Sequence, residues 1–265
     1  MKMKRLTIIT HKSPDLDSCV AIWILKRFIH PNARFNYRFV DAGDSVQNIP
    51  NSIHVDTGGS DYDHHHTSDL VSAASLVYEK NNFTDLALKR IIKYTIRVDH
   101  GKIKASNYHF LHLVHALNGL IGKDSLSTVN AMITILDGIY NNLVLRHESN
   151  IKFKTGIPFN SKLGKGIAFS TENPNIREKT YLKSNQIFLF KDKDTGFAGF
   201  KAHGNSTVNF KGLFKEIKKI DPNADWFLHS SNQLLLCGSS KAPQKRLTEL
   251  DLNQLINIIS SYAKK

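Results

Sequence analysis

Two cysteines, Cys19 and Cys237, are all that the chain contains. They are too few for a disulfide framework, and a reducing cytoplasm is the expected setting. Long apolar runs are absent, so no membrane partner is expected. The short run at residues 6–9 passes straight into polar His11-Lys12-Ser13-Pro14 and is too brief for a secretory core. Internal repeats and low-complexity segments are also missing. Acidic charge is scarce: 23 Asp and Glu stand against 36 Lys and Arg, a net charge of +13 over 265 residues.

That deficit is uneven. Residues 1–150 hold 17 basic and 14 acidic side chains, a net +3, whereas residues 151–265 hold 19 and 9, a net +10. A strongly basic half beside a balanced one suits a polyanionic substrate. The plain alternative is a generally basic source proteome. At 41% apolar and 22% charged, the composition is that of an ordinary globular protein, with length enough for two cores.

Along residues 1–150, the β-branched run at 4–10 reads as a first strand, and 35–40 and 52–55 as a second and third. Helical periodicity starts near Asp17 and recurs at about 68–79, 84–96, 107–120 and 125–146. Strands alternating with helices predict an α/β domain with a mostly parallel sheet, which binds ligands beyond the carboxyl ends of its strands. The Gly- and Pro-containing stretch 151–166 reads as the domain junction. Beyond it, strands near 186–190, 196–202, 225–228 and 233–237 and helices at 211–220 and 248–262 predict a smaller α+β domain over 151–265.

The chemistry concentrates in the first half. His11-x3-Asp15-x-Asp17 follows the first strand. Asp56 ends the third strand before a Gly pair that lets backbone approach closely. Asp63-His64-His65 comes next, and Asp99 lies in Arg97-Val98-Asp99-His100-Gly101. Each has a bland reading alone: helix capping for Asp15 and Asp17, strand-to-turn aspartates for Asp56 and Asp99, a solvated polar loop for the histidines. Together they are hard oxygen and imidazole donors without thiolate. Such a set suits two divalent cations, Mn²⁺ first, with Mg²⁺ or Co²⁺ as alternatives. Cys19 lies too far into the helix and reads as core.

In order and combination these motifs resemble the DHH phosphoesterase superfamily over about residues 7–101. The text Val55-Asp56-Thr57-Gly58-Gly59 followed by Asp63-His64-His65 is most similar to its melanocyte-proliferating-gene-type exonuclease branch. A weaker echo is Asp225-Trp226-Phe227-Leu228-His229-Ser230 with Leu236-Cys237-Gly238. The resemblance implies that His11 and Asp15 hold one ion, that Asp17, His64 and Asp99 hold the other, and that Asp56 bridges them. It places His65 at the phosphate and Asp63 behind a neighbouring histidine. Catalysis would then fall to Asp56, Asp63 and His65.

The expected function is a two-metal phosphodiesterase acting on RNA or short oligonucleotides, a 3′-5′ exonuclease by resemblance. Residues 1–150 would be catalytic and the basic 151–265 would hold substrate, with His65, His229 and Lys241 as contacts. A small-molecule phosphohydrolase acting on pyrophosphate or a cyclic dinucleotide is one alternative. A non-catalytic nucleic-acid-binding protein is the other. Further candidates are a third metal site at His109, His112 and His115, phosphate-binding turns at Gly238-Ser239-Ser240-Lys241 and Gly204-Asn205-Ser206-Thr207, and single-strand contacts at Phe197, Phe200, Phe210 and Phe214. For these phenylalanines, core is the default reading.

Overall fold

A strand buried on both faces organises the first half. In the computed structural model, which describes residues 4–44, 49–59, 62–103, 110–121 and 124–262, β1 (Arg5–His11) is the middle strand of a three-stranded sheet ordered β2-β1-β3. β2 (Arg34–Val40) and β3 (Ser52–His54) both pair with it in parallel. A central parallel strand carries apolar side chains to both faces, and consecutive Ile8 and Ile9 are both fully buried. Because the strands run together, the residues after β1 and after β3 emerge at the same sheet edge.

From that edge β1 turns into α1 (Leu16–Ile24). Asp15 caps it, accepting from the Ser18 N–H, while the Ser18 hydroxyl reciprocates at the Asp15 N–H. This capping box satisfies two orphan donors. Every residue of α1 is buried, as expected of a helix that is apolar all round. It continues through a π-helical turn, Leu25–Ile29. Four helices follow: α2 (Ala73–Lys80), α3 (Leu86–Asp99), α4 (Phe110–Ile121) and α5 (Ser125–Lys152). The Trp23 indole N–H donates to Asp137 on α5 at 2.8 Å, and Arg27 pairs with the same carboxylate. The Arg27 guanidinium also lies over the Tyr140 ring.

The chain divides into two compact units, Met1–Val144 and Leu145–Lys265. The second is built on a mixed six-stranded sheet ordered β4-β5-β6-β7-β9-β8. Its strands are β4 (Ile157–Ser161), β5 (Gly164–Phe169), β6 (Ile187–Lys191), β7 (Ala198–Ala202), β8 (Trp226–Leu228) and β9 (Leu234–Cys237). Only β5 and β6 pair in parallel. Alternation along β6 sends Ile187 and Leu189 into a core with α7 (Lys211–Ile220) and α8 (Leu252–Ser261). Phe188 and Phe190 face the other way, into a cluster with Ile176 of α6 (Pro174–Leu182).

The stretch 151–166 is regular where the sequence suggests a junction. It holds the end of α5, a 3-10 turn at Phe153–Thr155, and the β4–β5 hairpin. Gly166 serves packing: a Cβ there would lie 2.3 Å from Phe159 and 2.8 Å from the Ile187 carbonyl. α6 is a further element without an expected counterpart. Among the described residues, no helix is long and apolar enough to cross a membrane.

Candidate metal centre

His11 ends β1, and its ring is fixed by its own neighbour. Nδ1 lies 2.8 Å from the Lys12 carbonyl. A carbonyl can only accept, so Nδ1 carries a proton and Nε2 is the atom that faces the site. That Nε2 lies 3.3 Å from Asp56 Oδ2, 3.1 Å from the Ser18 hydroxyl and 4.0 Å from Asp15 Oδ1. Between His11 and Asp15, Ser13 adopts φ 52°, and its N–H donates to the Ser125 hydroxyl at 3.0 Å.

Asp56 is 3% exposed and has φ 55°, a left-handed backbone that aspartate tolerates better than most residues. Its N–H is held by the Tyr62 carbonyl at 2.9 Å. Gly58 follows at φ 81°, where a Cβ would lie 2.7 Å from His54 Nδ1. The two oxygens of Asp56 face different imidazoles: Oδ2 faces His11, and Oδ1 lies 3.3 Å from His64 Nε2. His64 Nε2 is also 3.6 Å from Asp17 Oδ2 and 3.6 Å from Asp99 Oδ2.

Asp17 sits in the first turn of α1, and its carboxylate accepts the Ala73 and Ala74 N–H groups that open α2. Two helix N-termini thus converge on one anion. Asp99 is the opposite case, a carboxylate in the last turn of α3, where the helix dipole disfavours negative charge. Asp63 accepts from the Gly59 N–H at 2.7 Å, and its other oxygen holds the His65 N–H and the His65 Nδ1 at 2.7 Å. With Nδ1 committed, Nε2 is the free atom of the exposed His65 ring.

All the first-half site residues expected from the sequence therefore converge, but not all at strand ends. Asp17 and Asp99 come from helices, because each lies inside a stretch whose hydrophobic spacing continues a helix. His100 is an addition. Its Nε2 donates to the Val71 carbonyl at 2.8 Å and lies 3.7 Å from Asp99. Its adjacency to Asp99 in the sequence was the available signal. Three trios, His11/Asp15/Asp56, Asp56/His64/His65 and His64/Asp99/His100, each have ligand atoms within 4.8 Å of one another. Of the three other histidines, His115 is exposed on α4, while His109 and the side chain of His112 lie outside the described residues.

The electrostatics of this cluster fit divalent cations. Burial, then the charges of Asp56 and Asp15, pushes the Asp17 carboxyl well above the usual range. Burial likewise raises Asp99. Burial opposes charge on Asp56 too, but His11 and His64 outweigh it and hold that carboxyl low. The Asp56 carboxylate in turn raises His64 to about 9. For His11, burial works against the charged ring, yet Asp56 and the Lys12 carbonyl lift it to about 9. Buried Asp56 Oδ1 and His64 Nε2 complete no hydrogen bond among the described residues. Clustered anions and an orphaned donor-acceptor pair are what a cation would resolve.

His229 and Lys241 lie in the second unit and both line one pocket there. The turn at Gly204 is closed on itself, with the Ser206 hydroxyl on the His203 carbonyl. Phe200 and Phe210 are buried in the core on which Phe214 packs, and Phe197 is buried in the cluster with Ile176, in line with the default reading.

One family model, described as "ChrB, C-terminal domain", matches residues 8–143. The match spans just over half the chain, lies within the first unit and contains the whole cluster. No curated protein and no solved structure matches. The family match overturns the resemblance to DHH phosphoesterases. The motifs behind that resemblance are short runs of ligand-type residues. The family match instead extends over the framework that carries them.

Proposed function

This chain belongs to the ChrB C-terminal domain family; from the geometry of its site, not from the family, we propose that it is a divalent-cation-dependent phosphodiesterase acting on RNA or short oligonucleotides. The first unit would be the catalytic domain, and the basic second unit a substrate-holding domain. The observation that carries this reading is the placement of Asp56, buried, with each carboxylate oxygen 3.3 Å from a different imidazole. A carboxylate so placed can serve two neighbouring cations.

His11 and Asp15 would hold one cation, Asp17, His64 and Asp99 the other, with Asp56 shared. Two cations at such a site supply Lewis acidity that polarises a phosphoryl oxygen and acidifies water. The chain's own groups supply orientation and proton control. The Lys12 carbonyl fixes the His11 tautomer. The Ala73 and Ala74 N–H groups orient Asp17. Asp63 clamps the loop through two backbone N–H groups and aims His65, whose free Nε2 can hydrogen-bond a phosphoryl oxygen or hold a proton for the leaving oxygen. The net +10 of residues 151–265 raises the local concentration of a polyanion at low salt.

The test is hydrolysis with Mn²⁺ of a labelled RNA oligonucleotide, alongside pyrophosphate and a cyclic dinucleotide, with Asp56→Ala as control. Cation-dependent RNA shortening that vanishes in the variant is expected, and the products report its direction. Turnover of pyrophosphate or the cyclic dinucleotide alone would move the substrate to the small-molecule class. RNA cleavage surviving in Asp56→Ala would defeat the mechanism.

A further inference from the structure

β8 is the outer strand of the six-stranded sheet, and beside it lies a pocket of about 610 Å³ formed entirely by the second unit. That volume is in the range of small-molecule sites, roughly 300–1,000 Å³. Strand alternation builds its floor. Trp226 and Leu228 join the core, so Phe227 and His229 face outward, and Phe227 pairs across the strands with Leu236. Phe227 is 56% exposed, and it is the one exposed Phe or Trp among the described residues. The His229 ring stands edge-on to it, 78° between planes. His229 Nδ1 accepts the Ser231 N–H at 3.2 Å, which leaves Nε2–H as a free donor.

The rim is cationic. Lys218, Lys241 and Lys245 line the pocket against a single acidic residue, Asp225. That carboxylate is already taken by Arg246, through its guanidinium at 2.9 Å and its backbone N–H at 3.1 Å. None of the three lysines is in an ion pair among the described residues. The turn that carries Lys241 is built in: Gly238 has φ 77°, and a Cβ there would lie 2.4 Å from Leu247 and 2.6 Å from Phe197. Asp225 offsets Lys245 in part, and Lys218 and Lys241 remain without an acidic partner among the described residues; a flat apolar floor under such ammonium groups matches a flat aromatic base joined to phosphate. A purely apolar ligand would leave the lysines unanswered.

We propose that this pocket grips one nucleotide of a single-stranded oligonucleotide, with its base stacked on Phe227 and its phosphates at Lys218, Lys241 and Lys245. The choice of ligand class rests on the function proposed above, but the grip is measurable without cations or turnover. Fluorescence anisotropy of the full chain with a short labelled single-stranded RNA in EDTA is the experiment. Phe227→Ala should weaken RNA binding about ten-fold, the usual worth of one stacked base, and Phe227→Tyr should preserve it. Lys241→Ala should flatten the slope of log affinity against log salt by about 0.7. Lys162→Ala, in the exposed β4–β5 turn, should change nothing. Inorganic polyphosphate should lose affinity in Lys241→Ala but not in Phe227→Ala.

Unaltered RNA binding by Phe227→Ala would overturn the proposal. So would equal loss of RNA and polyphosphate in that variant, or displacement of the RNA by an acidic peptide at lower concentration. RNA binding through Phe227 without cation-dependent hydrolysis would leave the pocket standing and remove the catalytic reading. Asp56-dependent hydrolysis with no effect of Phe227→Ala would do the reverse.

Discussion

The imidazole of His64 and the carboxylate of Asp56 are buried face to face at 3.3 Å, and neither of the facing atoms completes a hydrogen bond among the described residues. A cation binding there stabilises the folded chain by mass action, about 2.7 kcal/mol at a hundred-fold excess over Kd. Mn²⁺ should therefore raise the melting temperature of the wild-type chain above its value in EDTA, with a shift that grows with the logarithm of concentration. Asp56→Ala should stay folded by circular dichroism and lose most of the shift. An equal Mn²⁺ shift in both proteins would show that the cation binds elsewhere.

The Trp23–Asp137 bond carries a second prediction. Trp23 is fully buried, and its N–H has Asp137 as its partner; Arg27 leans on the same carboxylate. Asp137→Ala strands a buried donor, a loss of about 1–3 kcal/mol. Asp137→Asn keeps an acceptor and should lose less. Urea unfolding measures both. A loss in the alanine variant no larger than in the asparagine variant would mean that the indole finds another acceptor.

Much of this architecture was legible because it is periodic. The β-branched run of β1 and the helical spacing from Cys19 onward gave the parallel strands and α1, and Lys211–Ile220 is a helix over the residues its spacing predicts. The members of the candidate cluster were legible as ligand-type residues, and the structure brings them together. The mounting of Asp17 was legible too, since helical spacing starts beside it, but that of Asp99 was not, because α3 runs past the predicted end at residue 96. His100 stood beside Asp99 in the sequence, but what aims its ring, the carbonyl of Val71 29 residues earlier, did not show there. The β4–β5 hairpin was missed for a physical reason: Gly156 and Gly166 leave room for Phe169 and Phe159, and only Gly164 serves the turn, so together they read as a linker. The exposure of Phe227 was not legible, because the edge position of β8, which leaves its outer face open, is a property of strand order.

Gly199 illustrates that close approach and yields a third prediction. It lies in β7, and a Cβ there would sit 2.6 Å from Leu236 Cδ2, 2.8 Å from the Leu235 carbonyl and 2.8 Å from Phe190. Two of these neighbours are side chains that could turn, but the carbonyl belongs to the paired strand. Gly199→Ala should destabilise the chain by about 1–3 kcal/mol through overpacking. Denaturant melting tests it. A neutral or stabilising result would mean that β9 shifts freely.

The fourth prediction concerns pH and Asp192, which closes the β6–β7 connection. Burial pushes its carboxyl up, but the Thr195, Glu172 and Asp194 N–H groups and the Thr195 hydroxyl outweigh this and hold it below the ordinary range. A depressed folded pKa stabilises above the unfolded value, about 3.9, and the contribution is lost as pH falls through the folded value. Asp192→Asn removes the charge while keeping the shape. Hydrogen bonds to a charged acceptor make the difference about 1–3 kcal/mol at neutral pH. The gap in unfolding free energy between wild type and variant should stay level from pH 7 to about 5. Below about pH 4 it should narrow as Asp192 takes up its proton. A gap that widens with acid would reverse the sign and place the Asp192 carboxyl above its unfolded value.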